Sequence, residues 1–95
     1  PGKCESLFCV DQKNVMPETV KASEDGTGLI LRLYEYENAK TRVKLTFGMN
    51  KKIKTICECN LIEEVMEQPV NHDENSFEFM IKPFEIKSYK VTFCE

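Results

Sequence analysis

Thr41-Arg42-Val43-Lys44-Leu45-Thr46-Phe47 is the stretch that decides the fold. Val43, Leu45 and Phe47 fall on one parity, and Arg42, Lys44 and Thr46 on the other. A period of two is the signature of a strand with one dry and one wet face. Phe77-Glu78-Phe79-Met80-Ile81 repeats the pattern. Such strands bury their apolar faces only against a second layer. Leu29 to Leu33 offers a partner: it is apolar on both parities, interrupted only by Arg32, as in a central strand covered on both faces.

Working outward, residues 6–10, 15–22 and 53–60 read as further strands, and Pro17 confines its segment to a sheet edge or a strand start. Near the C-terminus Phe84 and Ile86 share one parity, whereas Tyr89, Val91 and Phe93 share the other. A flat strand cannot keep both sets inside, so a β-bulge or bend is predicted near Lys87-Ser88. Residues 60–68 carry Leu61, Ile62, Val65 and Met66 in pairs four apart. That spacing admits a helical turn, although the surrounding pattern favours a strand. Turn residues punctuate the chain at 11–14, 25–28, 37–38, 48–52 and 71–75. The expectation is an all-β fold, an antiparallel β-sandwich of about seven or eight short strands, forming one domain over residues 1–95.

Composition narrows the function. The 16 acids and 13 bases leave a formal charge of −3, which argues against a general nucleic-acid binder. No apolar run approaches the roughly 18–20 residues that span a bilayer. Five cysteines cannot all pair within one chain, and no Asn-x-Ser/Thr sequon is present. Both observations predict a cytoplasmic, reducing setting with free thiols.

Several groups could carry chemistry, and each has a plainer reading. Cys57 and Cys59 on a strand would face the same side roughly 7 Å apart, half of a zinc site. The other half would have to be the loosely spaced Cys4 and Cys9; the plainer reading is two small thiols in a strand. His72 stands in an acidic run with no Lys or Arg between Glu63 and Asn75, which reads as a solvated turn. Glu35, Glu37, Glu63 and Glu64 could supply the paired carboxylates of glycoside hydrolysis, but nothing selects a pair, and they read as surface charge. Lys40, Arg42 and Lys44 form a basic stripe, the ordinary protection of a solvated strand. Ile30, Arg32, Tyr34 and Tyr36 share a face that suits docking against a neighbouring domain, with sugar stacking as the alternative.

Val20-Lys21-Ala22-Ser23-Glu24-Asp25-Gly26 leads into Gly28-Leu29-Ile30-Leu31-Arg32-Leu33-Tyr34-Glu35. Asn60-Leu61-Ile62-Glu63-Glu64 and Lys82-Pro83-Phe84-Glu85-Ile86-Lys87-Ser88 follow. In this order they resemble the C-terminal β-domain of glycoside hydrolase family 38 α-mannosidases, especially the cytosolic-type branch, from about Ser6 to Phe93. The resemblance implies a non-catalytic C-terminal piece of a larger, zinc-dependent retaining enzyme that hydrolyses α-mannosidic bonds in glycans. It also implies that zinc and the catalytic residues belong to the parent's catalytic domain, with none in this chain. Pro1-Gly2 then reads as a cut or vector-derived start. The partner implied is the rest of the parent chain, with homo-oligomerisation possible through an exposed apolar face, and with neither nucleic acid nor membrane. Arg32, Tyr34, Tyr36 and Phe84 are the candidate interdomain contacts. The alternative is a stand-alone carbohydrate-binding or protein-interaction module.

Overall fold

The computed structural model describes residues 3–4, 7–48, 50–60 and 70–94. Among them run eight strands: β1 (Lys3–Cys4), β2 (Phe8–Val10), β3 (Val15–Ala22), β4 (Leu29–Glu35), β5 (Thr41–Phe47), β6 (Ile53–Cys59), β7 (Ser76–Ile81) and β8 (Ile86–Phe93). They build two four-stranded antiparallel sheets, ordered β1-β2-β5-β7 and β3-β4-β8-β6. The expected sandwich is what the chain forms.

The alternating strands do what their periodicity requires. In β5, Val43, Leu45 and Phe47 are buried and Arg42 and Lys44 exposed. They join Phe77, Phe79 and Ile81 of β7, and the second sheet answers with Leu31, Leu33, Ile56, Tyr89 and Val91. The Tyr89 ring lies 5.2 Å from Phe77 and 5.1 Å from Phe79, bridging the layers. Each fully buried aliphatic or aromatic side chain contributes on the order of 1.5–3 kcal/mol. Burial, aided by the negative charges of Glu58 and Glu85, raises the Tyr89 phenol pKa well above its usual range.

Strand β4 lies between β3 and β8, as its two-sided apolar character predicts. Ile30 and Leu31 are consecutive and both inaccessible, so opposite faces are covered there. Pro17 sits in the edge strand β3, where the pairing register shifts between Pro17 and Thr19. The bend predicted near Lys87-Ser88 is absent, because β8 pairs with β4 without a break from Leu29↔Val91 to Tyr34↔Ile86. The parity conflict is resolved by exposure instead. Tyr89 and Val91 go inside, leaving Phe84 54% and Ile86 46% exposed. The second register shift falls in β6, between Ile53 and Thr55. The helix-or-strand alternative over residues 60–68 lies, from Leu61 onward, outside the described residues.

Not all thiols are free. Register places Cys4 opposite Cys9 on the β1–β2 pair, and Cys9 is disulfide-bonded, whereas Cys57, Cys59 and Cys94 are free. An odd total does not prevent a cysteine from being paired, and Cys9 is. The cysteine count therefore loses its force as a sign of a reducing compartment.

The β3–β4 turn is built around Asp25. Its carboxylate accepts from the Ser23 hydroxyl (2.7 Å), the Thr27 hydroxyl (2.8 Å) and the Thr27 N–H (3.0 Å), and pairs with Lys90. Lys90 foremost, then these donors, hold the Asp25 pKa far below the carboxylate range. Gly26 supplies the positive φ of 74° the turn needs. Gly28 is required for space, since a Cβ there would come 2.5 Å from the Val91 carbonyl oxygen.

Candidate functional site

The outward parity of β4 presents Ile30, Arg32 and Tyr34, and pairing extends that face sideways. Tyr34 is opposite Met16 of β3 on one side and Ile86 of β8 on the other. The row crosses the sheet with Met16 39% and Ile86 46% exposed and Tyr34 half-buried. Two residues before Ile86, Phe84 projects from the β7–β8 turn at a φ of 58°. Positive φ is unusual for a bulky residue and marks a backbone held by its surroundings. An apolar, partly aromatic strip thus lies on one corner of the outer sheet face.

The structure sorts the four candidate contacts. Tyr34 and Phe84 belong to the strip. Arg32 is half-buried between Thr19 and Ser88 in register. Tyr36 instead clamps the β2–β3 loop, its hydroxyl donating to the Lys13 carbonyl (2.7 Å) and its N–H to the Asn14 carbonyl (3.0 Å). Ile30 is inaccessible. Met16 and Ile86 complete the strip. In the sequence Ile86 is legible beside Phe84 in the Lys82–Ser88 stretch, whereas Met16 can be found only from the pairing of β3 with β4.

Behind the strip lies Glu35, which is inaccessible and thus no surface charge. Its parity is the signal, since it follows Leu31 and Leu33 inward. Oε2 accepts from the Asn14 side-chain amide (2.7 Å) and the Glu37 N–H (2.9 Å), and Oε1 from the Phe84 N–H (2.9 Å). Asn14 also donates to the Thr41 hydroxyl at 2.8 Å. One carboxylate therefore joins the β2–β3, β4–β5 and β7–β8 loops. Burial pushes its pKa up, but the donors from Phe84, Asn14, Glu37 and Ala39 outweigh it and hold the group at about 2. The Phe84 N–H aimed at Glu35 accounts for the strained φ.

The other candidates do not converge on chemistry. Glu37 is exposed, and Glu63 and Glu64 lie outside the described residues, so no carboxylate pair is assembled among the described residues. The half-buried His72 ring is held between backbone carbonyls, with Nδ1 2.7 Å from the Asp73 oxygen and Nε2 3.3 Å from that of Lys54. Arg42 pairs with Glu78 at 2.8 Å, interrupting the basic stripe of Lys40, Arg42 and Lys44. Cys57 and Cys59 share the outer parity of β6 opposite Lys90 and Ser88, but the second zinc pair is unusable, because Cys9 is disulfide-bonded. Among the described residues, no group of three or more His, Cys, Asp or Glu side chains is placed to hold a metal ion.

What this sandwich belongs to is decided by comparison with known families. Residues 14–89 match the model described as the glycosyl hydrolases family 38 C-terminal beta sandwich domain. The chain belongs to that family. The match spans β3 to the first half of β8, including the Glu35 hub and the Met16–Tyr34–Ile86 row. A curated relative, alpha-mannosidase G of Dictyostelium discoideum, is 31% identical over 91 residues. The alignment covers 90% of this chain but 8% of the relative, so the family 38 sandwich spans a small part of that protein's length.

Proposed function

We propose that this chain is the non-catalytic C-terminal sandwich of a larger α-mannosidase, and that it packs on and supports the catalytic region. In this reading the parent is a zinc-dependent, retaining hydrolase of α-mannosidic bonds, and zinc and the catalytic carboxylate are held by the rest of the parent. The observation that carries the supporting role is the Met16–Tyr34–Ile86 row with Phe84 beside it. It is apolar, partly exposed and continuous across β3, β4 and β8, as interdomain contacts are. The occupant is another part of the same polypeptide. The family assignment and the 8% coverage of the relative support it, because most of such a protein lies outside this sandwich.

The test is a pair of substitutions in the full-length enzyme, Tyr34→Ala and Ile86→Asp. Both side chains are on the outer face, so the isolated sandwich should keep its melting temperature within a few degrees. The full-length enzyme should inactivate at a clearly lower temperature, with kcat/KM of the surviving fraction unchanged. Unaltered inactivation of the double variant would reject the docking reading.

A further inference from the structure

We propose that Phe84 is the anchor of the docking contact, a ring held in a strained turn so that it enters an apolar socket on the rest of the parent polypeptide. This rests on the docking reading above and adds which residue carries the contact and what positions it. Lys82-Pro83-Phe84-Glu85 takes the chain from β7 in one sheet to β8 in the other. The Glu85 N–H donates to the Lys82 carbonyl at 3.0 Å, closing the turn between its first and fourth residues. Pro83 stands second, its ring fixing a negative φ, and Phe84 stands third at a φ of 58°. That is the pattern of a type II turn, whose third position calls for Gly or Asn. A bulky aromatic residue there bears backbone strain that Gly would not.

The sandwich itself does not account for that residue. At 54% exposed, Phe84 is the most exposed large hydrophobic side chain among the described residues, and it stands outside the core cluster. Strain and an exposed ring both count against it in the isolated domain, and burial in a partner would offset them. The turn is also locked from behind. The Phe84 N–H donates to Glu35 Oε1 (2.9 Å), the Lys82 N–H to Glu85 Oε1 (2.8 Å) and the Glu35 N–H to the Glu85 carbonyl (3.1 Å). Glu35, inaccessible itself, is therefore the positioning residue. A ring on a fixed backbone loses less freedom on docking, and such preorganised aromatic residues carry a large share of a contact's energy. Ile86, two residues on, joins the ring to the row through Tyr34 and Met16, so the anchor is continuous with the proposed contact. The socket is placed on the same polypeptide because this sandwich covers only 8% of the family relative.

The experiment measures thermal inactivation of the full-length parent enzyme carrying Phe84→Ala, Phe84→Gly or Pro83→Gly, beside Tyr34→Ala and Ile86→Asp. Phe84→Ala should lower the inactivation temperature by roughly 5 °C or more, at least as far as Tyr34→Ala. Phe84→Gly, which relaxes the turn but lacks the ring, should fall equally. Pro83→Gly, which keeps the ring on a looser turn, should lie between wild type and Phe84→Ala. Neither Phe84 variant should lower the melting temperature of the isolated 95-residue chain by more than a few degrees. If Tyr34→Ala and Ile86→Asp lower the inactivation temperature and the Phe84 variants do not, the anchor is overturned and the docking reading stands. If none of these variants moves it, the docking reading falls as well. Wild-type behaviour of Phe84→Gly or Pro83→Gly in the full-length enzyme, or an equal loss from Phe84→Ala in the isolated chain, would also overturn the proposal.

Discussion

The two ends of this sandwich are closed by opposite means. At one, three loops are tied to the inaccessible Glu35 carboxylate by the amide of Asn14 and the backbone N–H groups of Glu37 and Phe84. At the other, Leu7, Leu29 and Phe93 meet without full burial around an apolar cleft. A buried carboxylate is costly unless its lone pairs are filled, and here they are. The first end is therefore stiff and specific in its loop geometry, which fixes where Phe84 projects. The second end has its own hydrogen bonds, those of Asp25 among them, but they stay within the β3–β4 turn and its neighbours, and the side chains of Leu7, Leu29 and Phe93 remain partly exposed around the cleft. A domain that must present a defined edge to a neighbour gains from placing its polar hub directly behind that edge.

Breaking the closed end should cost most. Glu35→Ala removes one of the two acceptors of the Asn14 amide and leaves the Glu37 and Phe84 N–H groups without theirs, and the melting temperature should fall by roughly 10–20 °C in differential scanning calorimetry. A fall of only a few degrees would mean that water replaces the carboxylate and that the hub is not what holds the loops. At the open end the steric weak point is Gly28. Gly28→Ala drives a Cβ against the Val91 carbonyl, and chemical denaturation should show a loss of about 1–3 kcal/mol. Phe93→Ala, removing a half-buried ring, should cost less, about 1–2 kcal/mol.

Acid reaches both ends, because Asp25 in the β3–β4 turn is also held below its ordinary value, so the contribution of Glu35 is read by difference from a Glu35 variant. Glu35 is held at about 2, below its ordinary 4.5. A carboxylate whose pKa is depressed on folding contributes stability above its unfolded value and loses it as pH falls towards the folded one. Stability should therefore decline from about pH 4.5 down to about pH 2, and Glu35→Gln should flatten that part of the profile. The smallest effect expected is at Phe84. Phe84→Gly relieves a φ of 58° at an exposed residue, so the isolated chain should be unchanged or gain up to about 1 kcal/mol. Clear destabilisation would show that the ring supports the sandwich itself.

How much of this is legible in the sequence varies residue by residue. The alternation over Thr41–Phe47 and the placement of Pro17 at an edge follow from local chemistry alone, and β3 and β5 begin and end where the pattern does. Parity misleads at Lys87-Ser88, because it says that two sets conflict but not which is excluded. That choice belongs to the opposite sheet, where Phe77 and Phe79 receive Tyr89. Glu35 is visible as an inward parity, but the general expectation that acids stay wet outweighs it. Its donors come from residues 14, 37 and 84, far apart in the chain. Tyr34 is legible as outward, whereas Met16 needs the β3–β4 register, which local pattern does not carry.

Hydrogen–deuterium exchange compared between this 95-residue chain and a full-length parent α-mannosidase tests the docking account most directly. The account predicts that amides around Met16, Tyr34 and Lys82–Ile86 exchange markedly more slowly in the full-length enzyme, with little change across β5 and β7. Identical exchange of the Phe84 corner in both proteins would contradict it.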